Sequence, residues 1–230
     1  MLAPLAQDNV TCLSPPGFGA PLPANFGATM VEYRDWLIEQ LEAFGEPVDL
    51  VGHDWGGGHA VNVAMTRPDL LHSWASDAIG LFDPGYVWHD LAQQWQTPGI
   101  GEASVANLFG GTAQDRTATM IGLGIAQPVA QRLAAGQNQQ MGQAVLALYR
   151  SAAQPVLAEA GRALESASAR PGLVIIAGAD QQVGSTSIRR RAAARAGARV
   201  AVLDGLGHWW MVQDPHLAAR TLRDFWEQTA

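Results

Sequence analysis

Val48-Asp49-Leu50-Val51-Gly52-His53-Asp54-Trp55-Gly56-Gly57-Gly58 is the stretch whose reading decides the fold of this chain. Val48 to Val51 is a short apolar run without alternation, as expected of a strand buried on both faces. Gly-x-Asp-x-Gly follows, and then a stretch that runs helically until Pro68 ends it. A strand, a tight glycine turn and a helix present the central side chain, Asp54, at the helix N-terminus. There the helix dipole and free N–H groups favour an anion. A carboxylate in that position can attack an sp3 carbon and form an ester. The plainer alternative is that Asp54 only caps the helix, but glycines on both sides and so apolar a strand favour a nucleophile. A P-loop needs a lysine, and all 14 basic residues here are arginines. A dinucleotide fingerprint would need glycine where Asp54 stands.

Outward from this turn the chain alternates between strand and helix. Asn9 to Leu13, before Ser14-Pro15-Pro16-Gly17-Phe18-Gly19, reads as a short strand and a turn. Thr29-Met30-Val31-Glu32 is a capping box that opens a helix with apolar positions at Met30, Tyr33, Leu37, Leu41 and Phe44, closed by Gly45. Further strands are expected in Leu71 to Ile79, Leu173 to Ala177 and Ala198 to Leu203. The last helix starts at Asp214-Pro215 and is expected to bury Leu217, Leu222, Phe225 and Trp226. From about Gly85 to Ser166 the text is helical, rich in Ala and Gln, with no convincing strand. The expected fold class is therefore α/β, a mostly parallel sheet with helices on both faces. The core spans 1–84 and 167–230, and the helical insert 85–166 reads as a lid.

Gly52-His53-Asp54-Trp55-Gly56-Gly57 resembles the elbow of epoxide hydrolases and haloalkane dehalogenases in the α/β-hydrolase superfamily. Pro16-Gly17-Phe18-Gly19 resembles the loop after that family's fourth strand, with Ser14 where the family usually has Asp. The resemblance covers nearly the whole chain and is weakest in the lid. The superfamily has about three strands before the Pro-Gly-Phe-Gly loop, the third leading to a loop that supplies an oxyanion N–H. The chain begins after that point, so the resemblance implies an N-terminally truncated α/β-hydrolase fold. It also implies an open edge beside the elbow strand, with the Trp55 N–H as half an oxyanion hole. Unpaired strand groups in a dry core cost about 1–3 kcal/mol each, so the edge is expected to be covered by a partner chain or a homo-oligomer.

An ester on Asp54 needs a base that activates water. Of six histidines, His208 alone sits on a glycine-rich loop after a strand, in Gly205-Leu206-Gly207-His208-Trp209-Trp210. His53, His59 and His72 lie beside elements and read as satisfied core residues. The base needs a carboxylate to fix its tautomer. Asp180, after the strand Leu173 to Ala177, resembles the family's acid and gives the order nucleophile, acid, histidine. Asp77 is the runner-up, since some dehalogenases use that position.

Epoxide hydrolases protonate the leaving alkoxide from lid tyrosines. Leu148-Tyr149-Arg150-Ser151-Ala152 is similar to the motif carrying one of them, and Tyr86 is a candidate second. Dehalogenases hold the halide with indole N–H groups. Trp55 resembles their first ligand, and Trp88 or Trp95 could be another. Ordinary packing is the alternative for all of these aromatics. Trp55 also argues against the fluoroacetate branch, which by resemblance carries arginine there. Epoxides are therefore expected ahead of haloalkanes, and a catalytically impaired hydrolase-like binding protein is the reading from another class.

Composition agrees. A chain of 230 residues, 48% hydrophobic, can bury one sizeable core. A formal charge of −7 argues against a nucleic-acid partner, and the run Arg189-Arg190-Arg191 reads as a solvated helix face. One cysteine, Cys12, excludes an internal disulfide and a cysteine-rich metal site. The first eight residues lack the positive start and long apolar core of a signal peptide. No segment reaches the roughly 18 apolar residues of a membrane span. A cytoplasmic protein is expected, needing no cofactor or metal and acting on a small apolar organic substrate with water.

Overall fold

A computed structural model of the chain describes Leu5 and residues 9–229. In order, the elements are α1 (Met30–Glu42), β1 (Val48–Gly52), α2 (Trp55–Thr66), β2 (Leu71–Ser76), α3 (Asp90–Gln96), α4 (Ile100–Phe109), α5 (Ala113–Gly122), α6 (Gln127–Gly136), α7 (Gln139–Ser151), α8 (Val156–Ala160), β3 (Gly172–Ala177), α9 (Thr186–Arg195), β4 (Arg199–Leu203), α10 (Trp210–Gln213) and α11 (Pro215–Trp226). The chain divides into two compact units.

The first unit comprises Met1–Thr11, Arg34–Trp88 and Gln154–Ala230. Its sheet is parallel throughout, in the order β1-β2-β3-β4. The register sets Gly52 beside Ser76 and Ala177 beside Leu203, so the C-terminal ends of neighbouring strands finish together. β3 is buried along its whole length, as the run Leu173-Val174-Ile175-Ile176-Ala177 predicts. Leu173, Ile175, Ala177 and Leu203 pack with Trp210, Ala218, Ala219, Leu222 and Phe225. α11 starts as read, with Asp214 accepting the Leu217 N–H at 2.8 Å and Pro215 in the first turn. It buries Ala218, Ala219, Leu222 and Phe225, while Leu217 and Trp226 are only partly covered. Trp74 is wholly buried and donates its indole N–H to the Ala167 carbonyl at 3.2 Å. A Cβ at Gly172 would stand 2.2 Å from that ring, so glycine is required there.

Three sequence readings need correction. Residues 9–13 form no strand, and only an isolated bridge joins Pro16 to Ala20. A lone extended segment has no ladder to join, and apolar residues without a partner strand do not make one. β1 is not buried on both faces: Asp49 is exposed and Val48, Leu50 and Val51 are half-buried. β1 pairs with β2 alone among the described residues, and its other edge is therefore not dry. Phe44 is 43% exposed, because α1 has already ended at Glu42. The reading of the N-terminus lies outside the described residues apart from Leu5.

The second unit comprises Cys12–Tyr33 and His89–Ala153. The capping box at the start of α1 forms: Thr29 and Glu32 exchange hydrogen bonds through backbone and side chain. The buried Tyr33 hydroxyl donates to the Pro16 carbonyl at 2.6 Å. Gly17 has φ +81°, and a Cβ there would approach that of Ala144 to 2.8 Å. Local caps also start the helices of the insert, with Thr112 and Asp115 closing a box on α5 and Asn138 accepting from Met141 on α7. Among the described residues no helix is long and apolar enough to cross a membrane.

Candidate active site

β1 ends at Gly52, and the turn into α2 is made by His53 and Asp54. Asp54 has φ +52° and ψ −125°, a conformation that an L-residue rarely adopts and that costs of order 1–3 kcal/mol. Gly52 makes the turn possible, because a Cβ there would lie 2.1 Å from the Gly56 carbonyl oxygen. Asp54 is the N-cap of α2 by position, yet its side chain makes no capping bond. The simple capping reading therefore has no hydrogen bond behind it. The half-buried carboxylate accepts no hydrogen bond among the described residues.

The strain is countered by Asp77, which leaves the end of β2 beside the elbow. Its Oδ1 accepts the Asp54 backbone N–H at 2.9 Å. Its Oδ2 takes the Trp210 indole N–H at 2.7 Å and faces His53 Nδ1 at 2.5 Å. Asp77 is fully buried. Burial pushes its carboxyl up, but the His53 charge and hydrogen bond and the Trp210 N–H outweigh that and hold it below the usual carboxylate range. A charge-assisted hydrogen bond contributes about 1.5–3 kcal/mol, enough to offset the strain at Asp54.

His208 Nδ1 lies 3.0 Å from Asp180 Oδ2, with both side chains buried. The geometry thus puts Asp180, not Asp77, on the candidate base. Nδ1 facing the carboxylate leaves Nε2 as the basic nitrogen once the ring is neutral. Burial pushes His208 down, while the Asp180 hydrogen bond and the charges of Asp54, Asp180 and Asp77 push it up further. Its pKa ends above the ordinary histidine value.

The run Arg189-Arg190-Arg191 is a solvated face only at its last two residues. Arg189 is 1% exposed and donates to the carbonyls of Ala177 and Asp180 at 3.2 and 3.3 Å. It braces the loop that carries Asp180 from behind. Arg191 makes two bonds to Asp83 at 2.9 and 2.8 Å while its side chain stays 56% exposed, and Arg190 is exposed as well. A helix puts successive residues 100° apart, so three adjacent arginines cannot share one surface.

Among the aromatic candidates, Trp55 and Trp88 lie with ring centroids 5.8 Å apart, and Tyr86 meets Trp88 edge-on at 5.1 Å. The Tyr86 hydroxyl donates to the Gln182 carbonyl at 2.9 Å. Burial first, then the charges of Asp54 and Asp180, raise its pKa and keep the phenol protonated. Trp95 and Tyr149 belong to the second unit and pack edge to face at 4.7 Å, with His89 against both. Sequence reasoning missed His53 and Trp210 as members of the site. The one local signal for His53 is that the residues just beyond two paired parallel strands must be neighbours. Among the described residues no cluster of His, Cys, Asp or Glu is arranged to hold a metal ion.

A parallel sheet whose second helix is entered through a strained acidic elbow, beside a histidine–carboxylate pair, defines an α/β-hydrolase fold. A model of the alpha/beta hydrolase family matches residues 1–221, and the chain belongs to that family. Among solved structures it is similar to the haloalkane dehalogenase DbeA from Bradyrhizobium elkani USDA94, at 20% identity over 94% of this chain and 79% of that one, TM-score 0.69. It is also similar to E-2-(acetamidomethylene)succinate hydrolase, at 16% identity over 87% and 74%, TM-score 0.64. A third likeness is to a hydrolase from Pseudomonas aeruginosa, at 21% identity over 86% and 71%, TM-score 0.59. At these identities the likeness is one of fold. No curated protein matches the chain.

Proposed function

We propose that this α/β hydrolase works through an ester on Asp54, with epoxides as its first substrate class. The observation that carries the reading is the Asp54 turn: a strained residue at the strand end whose carboxylate caps nothing. In the proposed cycle an Asp54 oxygen attacks an epoxide carbon, the C–O bond breaks, and the alkoxide takes a proton from a tyrosine. His208 Nε2 then removes a proton from water, which adds to the ester carbon. Collapse passes the remaining water proton to the departing alkoxide, which releases the diol and restores the carboxylate, and the proton held by His208 returns through water to the tyrosine. The Trp55 backbone N–H is the proposed donor to the oxyanion of that step. Asp180 fixes the tautomer of His208 and balances its cation.

The charges around His208 fit the order of these steps. In the resting protein three carboxylates favour its protonation. Alkylation removes the charge of Asp54, so the pKa of His208 falls at the stage where the ring must act as a base. Tyr86 supports the epoxide reading, since the charge of Asp54 reaches a phenol that burial keeps protonated. That hydroxyl would exchange the Gln182 carbonyl for the substrate oxygen. Tyr149 is the second proposed donor, and the helical insert 85–166 is read as the family's lid, with Trp95 among its packing residues.

Haloalkanes are the second reading, favoured by the Trp55 and Trp88 indoles in one cluster and by the dehalogenases among the structural neighbours. A catalytically silent binding protein is the third. Mass spectrometry of wild type and Asp54→Asn, each incubated with styrene oxide and with 1-bromobutane, separates them. A transient adduct and turnover with the epoxide, lost in Asp54→Asn, supports the first reading. Turnover of the halide alone supports the second, and neither adduct nor turnover over a broad panel supports the third.

A further inference from the structure

Beside the nucleophile stands a second histidine–carboxylate pair that the proposed cycle leaves unused. His53 Nδ1 is 2.5 Å from Asp77 Oδ2, in a carboxylate with no solvent exposure. Nothing about this pair resembles ordinary filling. A buried charge is expensive to keep, and apolar residues of the same volume would pack at no cost in stability. Every hydrogen bond to Asp77 comes from the surroundings of the reaction: the backbone N–H of Asp54, the indole of Trp210 and the ring of His53. On its other side the His53 ring lies against His208, with centroids 4.7 Å apart and planes inclined at 48°. Trp209 closes a third side at 5.5 Å. His53 Nε2 is shielded from solvent and has no hydrogen-bond partner among the described residues. Asp77 alone therefore orients the ring by hydrogen bonding, and the buried Nε2 is closed to any substrate.

We propose that His53 and Asp77 are a positioning pair for the reaction, Asp77 pinning the strained backbone of the nucleophile and His53 forming the wall that sets the ring of His208. Neither touches the reacting atoms. The proposal rests on the reading of Asp54 as nucleophile and His208 as base, and divides the two functions between two steps. Asp77 acts on ester formation, because it holds the peptide from which the attacking side chain springs. His53 acts on ester hydrolysis, because it bounds the ring that activates water. A displacement of about 1 Å at a reacting group can cost roughly 100-fold in rate.

Single-turnover mass spectrometry with styrene oxide follows both steps in the full chain. Asp77→Asn retains an oxygen for the Asp54 N–H but sets an NH2 group against two donors. It is expected to slow adduct formation by roughly 100-fold with little change in KM. His53→Asn keeps a donor toward Asp77 and removes the ring. It is expected to form adduct at close to the wild-type rate and to hydrolyse it roughly 10- to 100-fold more slowly. If Asp77→Asn does not fold, Trp210→Phe removes one donor to the other carboxylate oxygen, Oδ2, keeps an aromatic ring, and should slow adduct formation roughly tenfold. Proton NMR gives a readout apart from turnover. Two far-downfield imidazole N–H resonances are expected, one lost in His53→Asn and the other in His208→Gln. Folded variants at 53 and 77 that match wild type in both steps would overturn the pairing while leaving the nucleophile intact. Loss of the same step in both variants would overturn the division of labour. A wild-type protein that forms no adduct fails at the earlier reading, and the pair then has no reaction to position.

Discussion

Gly52 and Gly56 both flank the nucleophile in the sequence, and the structure gives them opposite tolerances. A Cβ added at Gly52 would stand 2.1 Å from the carbonyl oxygen of Gly56, 2.4 Å from its carbon and 2.6 Å from the nitrogen of Gly57. All three are backbone atoms of the elbow and cannot rotate aside. Overpacking a dense interior costs about 1–3 kcal/mol, and a clash against fixed backbone belongs at or above the top of that range. The same Cβ at Gly56 meets nothing within 4 Å, at an exposed position in the first turn of α2. There alanine lowers the entropy of the unfolded chain and gains up to about 1 kcal/mol. For a domain of this size 1 kcal/mol is roughly 2–4 °C in Tm. Gly52→Ala should therefore melt at least about 6–12 °C lower than wild type, with ester formation lost because Asp54 is displaced. Gly56→Ala should melt at or slightly above wild type. Calorimetry and circular dichroism measure both. A Gly52→Ala protein within 2 °C of wild type, or a Gly56→Ala protein that is the worse of the two, would refute the elbow geometry.

Three further predictions follow from particular contacts. Because His208 acts as a neutral base and its resting pKa is raised, turnover should fall with pH along a limb that starts above the ordinary histidine range in the free protein. The limb for hydrolysis of the preformed ester should lie lower, since the Asp54 charge is then gone; stopped-flow pH profiles that coincide would argue against this electrostatic coupling. The stability contribution runs the other way: a raised folded pKa stabilises fully below the unfolded value of about 6.5 and is lost as pH rises through the folded value. Arg189→Met leaves the Asp180 carbonyl without its donor and the Ala177 carbonyl with only the Asp180 N–H, and should cost about 1–3 kcal/mol, whereas Arg190→Met should stay within about 0.5 kcal/mol; equal denaturation midpoints would deny Arg189 its bracing role. The half-exposed edge of β1 should support concentration-dependent self-association by light scattering, and a cooperative monomer at every concentration would show that water satisfies that edge.

What could be read from the sequence was what local chemistry writes. The elbow is spelled by glycines whose spacing admits one backbone path, and α11 by an aspartate cap followed by proline. The strand at Leu173 to Ala177 is apolar enough to be recognised alone. The segment at 9–13 carries apolar Val10, Cys12 and Leu13 yet forms no strand, because a strand exists only through its neighbour. The same limit hid the second dyad. His53 and Asp77 are 24 residues apart and meet only because β1 and β2 pair in a register that no local pattern encodes. The sequence leaves Asp77 as the alternative acid for His208, and the register gives it to His53. Charge alone reads Arg189 as solvated, while its helical phase turns it toward two carbonyls.

The central claim is that Asp54 carries an ester which His208 helps to hydrolyse. The most direct test is the intact mass of His208→Gln after incubation with styrene oxide, followed by peptide mapping. The account predicts a stable increase of one substrate mass on the peptide containing Asp54, absent when Asp54→Asn is added to the same variant. A His208→Gln protein that turns over like wild type, or one that accumulates no adduct while wild type is active, would contradict it.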